Sequence, residues 1–423
     1  MGMTLTEKIL AKASGNTTVS PGQIVMARPR VVATMDTQAK MVFQAFEKLG
    51  LEKMPNPDLF AVIFDHRVPD DDVKQAELHK YEREMLAKYG IKKFHDIGRG
   101  GIMHQILAEQ AYAFPGQLTV ATESHTPTSG AVGGVVAGIG ASEAACALAT
   151  GDVWLRVPST IKIELTGELP PYVMTKDVAL KIMSILGYER DAVYMAVEFA
   201  GDGLKNLSMD SRLTLANMVA DVGAKNAIFP VDDVTVEYFK GRTDEPVEKL
   251  SPDPDAHYDR VITINMSELE PLLAVHPDMD NIHPVSEIEK QRIPVNMAFV
   301  GTCTNGRYED LAITAEILKG RKIAPNVRFC CAPASQEVFI RAAKDGLLNT
   351  IAEAGVEFTP VGCSACAGTH QGVIGDGEVA ITAGPRNWVG CMGSKKGIIY
   401  LGSPAIVAAS AIAGYICSPN SIK

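Results

Sequence analysis

The sequence predicts an α/β protein built in layers with parallel strands, and three observations carry that expectation. Apolar runs of strand length recur along the chain, and longer stretches with helical periodicity lie between them. No repeat with a period of roughly 20 to 50 residues is present, which excludes solenoids and propellers. The runs are Phe60 to Phe64, Leu118 to Ala121, Met297 to Val300, Val327 to Cys331 and Val379 to Thr382. Helical stretches cover Val73 to Lys88, Asp310 to Lys319 and Ser335 to Ala354. A first helix is expected over Met1 to Gly15, because Thr4 and Glu7 stand at capping-box spacing.

A chain of 423 residues holds about three domains at roughly 150 residues each. With 46% hydrophobic and 21% charged residues, and 37 Gly and 24 Pro spread widely, the composition is globular and excludes dominant disorder. Lys240 to Arg260 concentrates Pro and charge without periodicity and reads as a surface excursion. The break from His276 to Pro294 precedes an apolar run and suggests a boundary near 285; an earlier boundary falls near 160. The expected domains are therefore 1–160, 161–285 and 286–423.

Forty Lys plus Arg against fifty Asp plus Glu leave a formal charge of -10, which argues against general attraction to nucleic acid or anionic membrane. Neither Gly130 to Ala149 nor Ala405 to Cys417 is a clean apolar stretch of membrane-spanning length. With no signal peptide evident, a cytoplasmic setting is expected, and the eight cysteines are read as thiols rather than disulfides.

Several apolar runs end in reactive side chains. Phe60 to Phe64 leads into Asp65-His66, Leu118 to Ala121 into Glu123-Ser124-His125, Met297 to Val300 into Thr302-Cys303-Thr304-Asn305, and Val379 to Thr382 into Pro385-Arg386-Asn387. Ligands of open α/β sheets bind outside the carboxyl ends of the strands, so these clusters are expected to face one cleft. His66, His104 and His125 lie beside carboxylates or glycine-rich turns, a setting that suits general acids. The pair Cys363-x-x-Cys366 is open to three readings: a redox pair, half a metal site, or two buried thiols. Cys303 can add a third thiolate. Cys330 and Cys331 are expected to pack on opposite faces of a strand, and Cys146 and Cys417 to sit in the core. Three ligands with no clear fourth suggest an iron–sulfur cluster with an exposed corner; the rival is a zinc ion completed by His370.

Gly301-Thr302-Cys303-Thr304-Asn305-Gly306-Arg307-Tyr308-Glu309-Asp310-Leu311 and Gly362-Cys363-Ser364-Ala365-Cys366-Ala367-Gly368 together resemble the cluster-binding signature of the aconitase superfamily. Glu123-Ser124-His125-Thr126 is similar to its Asp-Ser-His-Thr motif, and the likeness runs over essentially the whole chain. Length and motif order are similar to large subunits of the branch that includes 3-isopropylmalate dehydratase and homoaconitase. The resemblance implies three aconitase-type α/β domains, without the swivelling fourth, around a [4Fe-4S] cluster held by Cys303, Cys363 and Cys366, with one iron free of cysteine. It implies a hydro-lyase acting on a hydroxy di- or tricarboxylic acid such as a 2-alkylmalate. Asp65 and His66 would act at the leaving hydroxyl. His104 and His125 would pair with Glu123 and Asp221, and Ser124, Asn217 and Arg386 would contact substrate. A small partner subunit would carry the swivelling domain, the proton-abstracting serine and further carboxylate-binding arginines.

This chain departs from the pattern in four places. Glu123 replaces the usual Asp, Asp221 the usual Glu, and Pro385 and Cys391 stand where Asn and a second Arg are expected. Loss of that arginine removes a bidentate anion clamp, so the expected substrate is a malate substituted differently from isopropylmalate or carrying a neutral group at that point, with dimethylmalate or citramalate type as the alternative to a 2-alkylmalate; compensation by a small-subunit arginine is the other reading. Two other functions are weighed. A cluster-sensing regulator that binds RNA is opposed by the negative charge. A nicotinamide dehydrogenase rests only on Gly138-Ile139-Gly140-Ala141-Ser142-Glu143-Ala144, a truncated dinucleotide fingerprint.

Overall fold

The computed structural model describes residues 2–368 and 370–422. The first helix, Leu5–Ser14, starts at a reciprocal capping box in which Thr4 accepts from the Glu7 amide and Glu7 accepts from the Thr4 amide. Strand β1 (Ile24–Ala27) follows. Strands β2 (Val31–Met35), β3 (Phe60–Ile63), β4 (Lys93–His95), β5 (Leu118–Ala121) and β6 (Val135–Gly138) form a wholly parallel sheet in the order β4-β3-β2-β5-β6. Strand β7 (Val153–Arg156) returns antiparallel to β1 as a two-stranded ribbon.

A second parallel sheet joins β8 (Thr160–Thr166), β9 (Ala196–Ala200), β10 (Asn226–Ile228) and β11 (Arg260–Asn265) in the order β10-β9-β8-β11. The third contains β12 (Leu272–Ala274), β13 (Ile282–Pro284), β14 (Met297–Val300), β15 (Arg328–Cys331), β16 (Glu357–Phe358), β17 (Val379–Thr382) and β18 (Ile398–Leu401). Its order is β13-β12-β18-β17-β14-β15-β16; β14 to β18 are parallel, and β12 and β13 add an antiparallel edge.

All five apolar runs read from the sequence are strands of these sheets. Every residue of β3, β5, β14 and β17 is buried, as expected for parallel strands covered on both faces, and that is why they read as unbroken apolar runs. One continuous core joins residues of all three sheets, including Ala33, Ile163, Val197 and Leu401.

The expected helices at 73–88 and 310–319 are present as Val73–Tyr89 and Tyr308–Leu318. The stretch 335–354 is two helices, Gln336–Lys344 and Leu347–Glu353, because Gly346 takes a left-handed φ of 75° between them. No residue of 240–260 is buried, in keeping with a surface excursion. Cys331 is buried and Cys330 half-buried, and Cys417 is buried beyond the last long helix. Cys146 departs from expectation: it is exposed, because Ala144, Ala145, Ala147 and Leu148 form the inward face of its helix Ala141–Thr150. Alanine covers that helix nearly all round, so periodicity does not mark the buried side.

Candidate active site

The carboxyl ends of the parallel strands bring the reactive side chains together. Beyond β3, Asp65 is buried; its Oδ1 lies 2.6 Å from His66 Nδ1 and its Oδ2 accepts the Met103 amide at 2.7 Å. The Asp65 carbonyl accepts the Cys363 amide at 2.8 Å, and both His66 ring nitrogens lie 3.9 Å from Cys363 Sγ. This places the expected hydroxyl-handling pair against a thiol. Burial opposes the charged imidazole of His66, but the facing Cys363 and Asp65 outweigh it and raise its pKa well above the usual value. Asp36, at the end of β2, accepts the backbone amides of His66 at 3.1 Å and Arg67 at 3.0 Å.

Beyond β5, Glu123 accepts from His104 Nε2 at 2.6 Å and from the His125 amide at 2.5 Å. His125 Nε2 is 3.1 Å from Asp221 Oδ2, and Arg386 Nε donates to Asp221 Oδ1 at 2.9 Å. Arg386 also donates to Ser124 Oγ at 3.2 Å and lies over the Trp388 ring. One wall therefore runs His104–Glu123–Ser124–Arg386–Asp221–His125, drawn from the first, second and third sheets. Burial would raise both acids, yet the histidines facing them, joined by Arg386 at Asp221, hold Glu123 well below and Asp221 below the usual carboxylate range. For His125, burial and the Arg386 charge lower the pKa, and Asp221 more than offsets them, so the imidazole is raised. A cavity of about 470 Å³ opens on Glu123 and Ser124, with Lys225 on its wall.

The three expected cysteine ligands are brought to this place. Cys303 and Cys363 pack with Ile102 and Ala334, and Cys366 follows in the same loop as Cys363. Burial pushes Cys303 and Cys363 up to about 12 and also raises Cys366; Cys366 adds to the effect at Cys303, Cys363 adds to it at Cys366, and at Cys363 the Asp65 charge adds to it while His66 opposes it. Buried thiols raised in this way stay protonated by themselves, whereas a bound cation would stabilise the thiolates, so three cysteines converging here fit a metal cluster; the ligand atoms that already lie within 4.8 Å of one another are those of Asp65, His66 and Cys363. Both loops are strained. Thr302, before Cys303, has φ 75°, and Ser364, after Cys363, has φ 49°, although neither is glycine.

Asn217 is fully buried beside the Cys303 loop; its amide donates to Thr128 Oγ1 at 2.8 Å, and its oxygen accepts from Thr304 Oγ1 at 2.7 Å. Hydrogen bonds and packing thus join the sequence-derived residues in two groups, Asp65–His66–Cys363–Cys303 and His104–Glu123–Ser124–Arg386–Asp221–His125, with Asn217 beside the Cys303 loop and Cys366 following Cys363. The rival ligand His370 faces elsewhere: its Nε2 is 3.0 Å from the Val68 carbonyl and its Nδ1 3.7 Å from Asp71. A dinucleotide also finds no seat at Gly140, because the Glu143 carboxylate accepts that amide at 2.7 Å and occupies the helix N-terminus a pyrophosphate would need.

Sequence reasoning missed three supporting residues. Arg307 is fully buried and donates to the Cys303 and Thr304 carbonyls, Thr214 Oγ1 and Gln105 Oε1, which shapes the Cys303 loop. Lys176, also fully buried, donates to the Gly384 carbonyl at 2.6 Å and ties the second sheet to the loop carrying Arg386. Asp36 had a readable signal, since it ends the apolar run Val31–Met35 just as Asp65 ends another. Lys176 had none.

The pattern of the aconitase family (aconitate hydratase) matches residues 7–414. The 3-isopropylmalate dehydratase large subunit 1 of Methanopyrus kandleri is 42% identical over 420 residues, covering 99% of each chain. The 3-isopropylmalate dehydratase large subunit of Aquifex aeolicus is 42% identical over 427 residues, covering 100% of this chain and 98% of its own. A solved structure, Thermococcus kodakaraensis aconitase X in its holo-form, overlaps at a TM-score of 0.47 and 11% identity, over 85% of this chain and 84% of that one. No helix among the described residues is long and apolar enough to cross a membrane. The chain belongs to the aconitase family and is a catalytic hydro-lyase subunit.

Proposed function

We propose that this subunit, together with a smaller partner, dehydrates and rehydrates a malate carrying an alkyl substituent, with a [4Fe-4S] cluster held by Cys303, Cys363 and Cys366. The observation that carries the reading is the convergence of the buried thiols of Cys303 and Cys363, and the half-buried Cys366, with three histidine–carboxylate pairs near the strand ends. When bound, a cluster with three thiolate ligands supplies Lewis-acid polarisation of a substrate hydroxyl at its remaining iron.

The chain's own groups then have defined tasks. His66, its ring held 2.6 Å from the Asp65 carboxylate, holds a proton for the departing hydroxide. Arg386, set by Asp221 and Ser124, orients a substrate carboxylate together with Ser124. On the same wall, His104 and His125 are each oriented by a carboxylate, Glu123 and Asp221, toward the substrate. The proton beside the substrate carboxylate goes to a base on the partner. The C–O bond breaks, the hydroxide takes the His66 proton and leaves as water, and an alkene remains; rehydration reverses each transfer. The relatives' designation as large subunits supports a small-subunit partner. The three sheets support a division into three α/β domains near residues 160 and 285, with β12 and β13 crossing from before 285 to the edge of the third sheet. Eight free cysteines support a cytoplasmic setting.

One observation favours a narrower substrate. Cys391 Sγ lies 3.3 Å from the Arg386 carbonyl, so a thiol stands where the resemblance expects a second guanidinium. The test is anaerobic reconstitution with the small subunit, followed by ultraviolet detection of alkene across 2-isopropylmalate, dimethylmalate and citramalate. Turnover of at least one supports the reading, and highest efficiency on a malate other than 2-isopropylmalate supports the role of Cys391. Absence of alkene from every malate contradicts the proposed function.

A further inference from the structure

Behind the Asp65–His66 pair lies a buried arrangement that the dehydration chemistry does not use. Asp36 opens the helix Asp36–Lys48 directly after β2, the neighbour of β3, and its side chain is fully buried. Its Oδ1 faces the amides of Asp65 at 3.5 Å and His66 at 3.1 Å, and its Oδ2 accepts the Arg67 amide at 3.0 Å. His79 Nε2, from the helix Val73–Tyr89, lies 3.3 Å from the same Oδ2, with the Gln75 amide 2.7 Å from that ring nitrogen. The His79 ring is also fully buried, stacks on Phe64 with centroids 4.2 Å apart, and turns its Nδ1 to Asp70.

Burial would raise the Asp36 carboxyl. The His79 bond, the charge of His66 and the two backbone amides overcome this and hold it at about 2. An ionised carboxylate only accepts, so the His79–Asp36 contact is a hydrogen bond in the tautomer that carries the proton on Nε2. Two helices thus grip three consecutive backbone amides. Asp36 Oδ1 is 3.8 Å from the His66 ring, whose close partner is Asp65 at 2.6 Å, so Asp36 acts mainly on the backbone and Asp65 on the imidazole.

We infer that Asp36 and His79 are positioning residues of the reaction, fixing the backbone of Asp65, His66 and Arg67 so that the His66 ring is held at the reacting centre. The inference rests on the proposed role of His66, and the test separates the two. Full-length Asp36→Asn, His79→Leu and His79→Gln variants are compared with the parent by hydrogen exchange at the His66 and Arg67 amides, a readout that needs no substrate. Loss of the charged acceptor in D36N, and of the side chain that steadies it in H79L, is expected to speed exchange at those amides about tenfold. H79Q, which retains a donor toward Asp36, keeps most of the protection, and the amides of β2 and β5 are unchanged. In the reconstituted enzyme, H79L lowers kcat about tenfold with KM within about twofold, and costs nothing further when added to His66→Gln. Unchanged exchange at His66 and Arg67, or a rise spread over the whole first sheet, overturns the inference; so does a kcat loss that adds fully to that of H66Q. If the parent turns over no malate, the proposed function fails, and the exchange comparison still decides whether Asp36 and His79 grip the loop.

Discussion

Asp221 touches the two groups that most define the substrate wall, accepting from Arg386 through one oxygen and facing His125 through the other. Asp221→Asn keeps the volume and removes the charge. Its expected cost is about 100-fold in kcat. The His125 imidazole, raised chiefly by Asp221 against burial and Arg386, is expected to titrate at lower pH in the variant, as read by histidine-labelled NMR. Because the folded value is raised, the stability contributed by charged His125 is full below its unfolded value of about 6.5 and is lost as pH rises through the folded value. An unchanged titration would contradict the role of Asp221. At this scale the site was legible where chemistry stands out in the sequence. Cys363 and Cys366, the Asp65-His66 doublet and Glu123-Ser124-His125 announce themselves by type and spacing. Lys176 does not, because its role depends on a carbonyl, that of Gly384, more than 200 positions away.

Among the elements, the Cys303 loop depends on a donor set rather than on thiols alone. Arg307→Met leaves the Cys303, Thr304 and Gln105 oxygens without their buried donor, so it is expected to cost about 3 kcal/mol and to lower iron content although every sulfur remains. Normal iron loading with unchanged stability would contradict that account. Gln105 also donates to Glu109 at 2.8 Å in the helix Met103–Glu109, and Ser335 donates to the same oxygen at 2.6 Å. Burial nevertheless pushes Glu109 up to about 7. Its favourable neutral form contributes fully below about 4.5 and is lost as pH rises through about 7. Glu109→Gln is expected to remove this decline and to be more stable at pH 8 by on the order of 1 to 3 kcal/mol, measured by urea unfolding across pH. An identical pH slope would refute it. Element boundaries were the weaker part of the sequence reading. Gly346 breaks one periodic stretch into two helices, since a single glycine inside a helical pattern does not declare whether it bends or ends it.

At the scale of the molecule, the layered α/β class was readable because parallel strands buried on both faces become continuous apolar runs. The ribbon of β1 and β7 was not. It is exposed on alternate residues, with Ile24, Met26 and Trp154 outward, and its pairing spans more than a hundred residues. Strand order likewise comes from long-range packing that no local window contains. The whole-molecule expectation is that this chain binds the cluster by itself yet forms no alkene until the small subunit is added, measured by titrating one subunit into the other. Turnover by this chain alone would contradict the need for a partner-borne base.

The most direct test of the central claim, that three particular sulfurs grip one cluster, is iron content after anaerobic reconstitution of the parent and of the Cys303→Ser, Cys363→Ser, Cys366→Ser and Cys391→Ser variants. The account predicts about four iron atoms per chain in the parent and in C391S, and severe loss in the other three. An iron-free parent, or full loading after replacement of Cys303, Cys363 or Cys366, would contradict it.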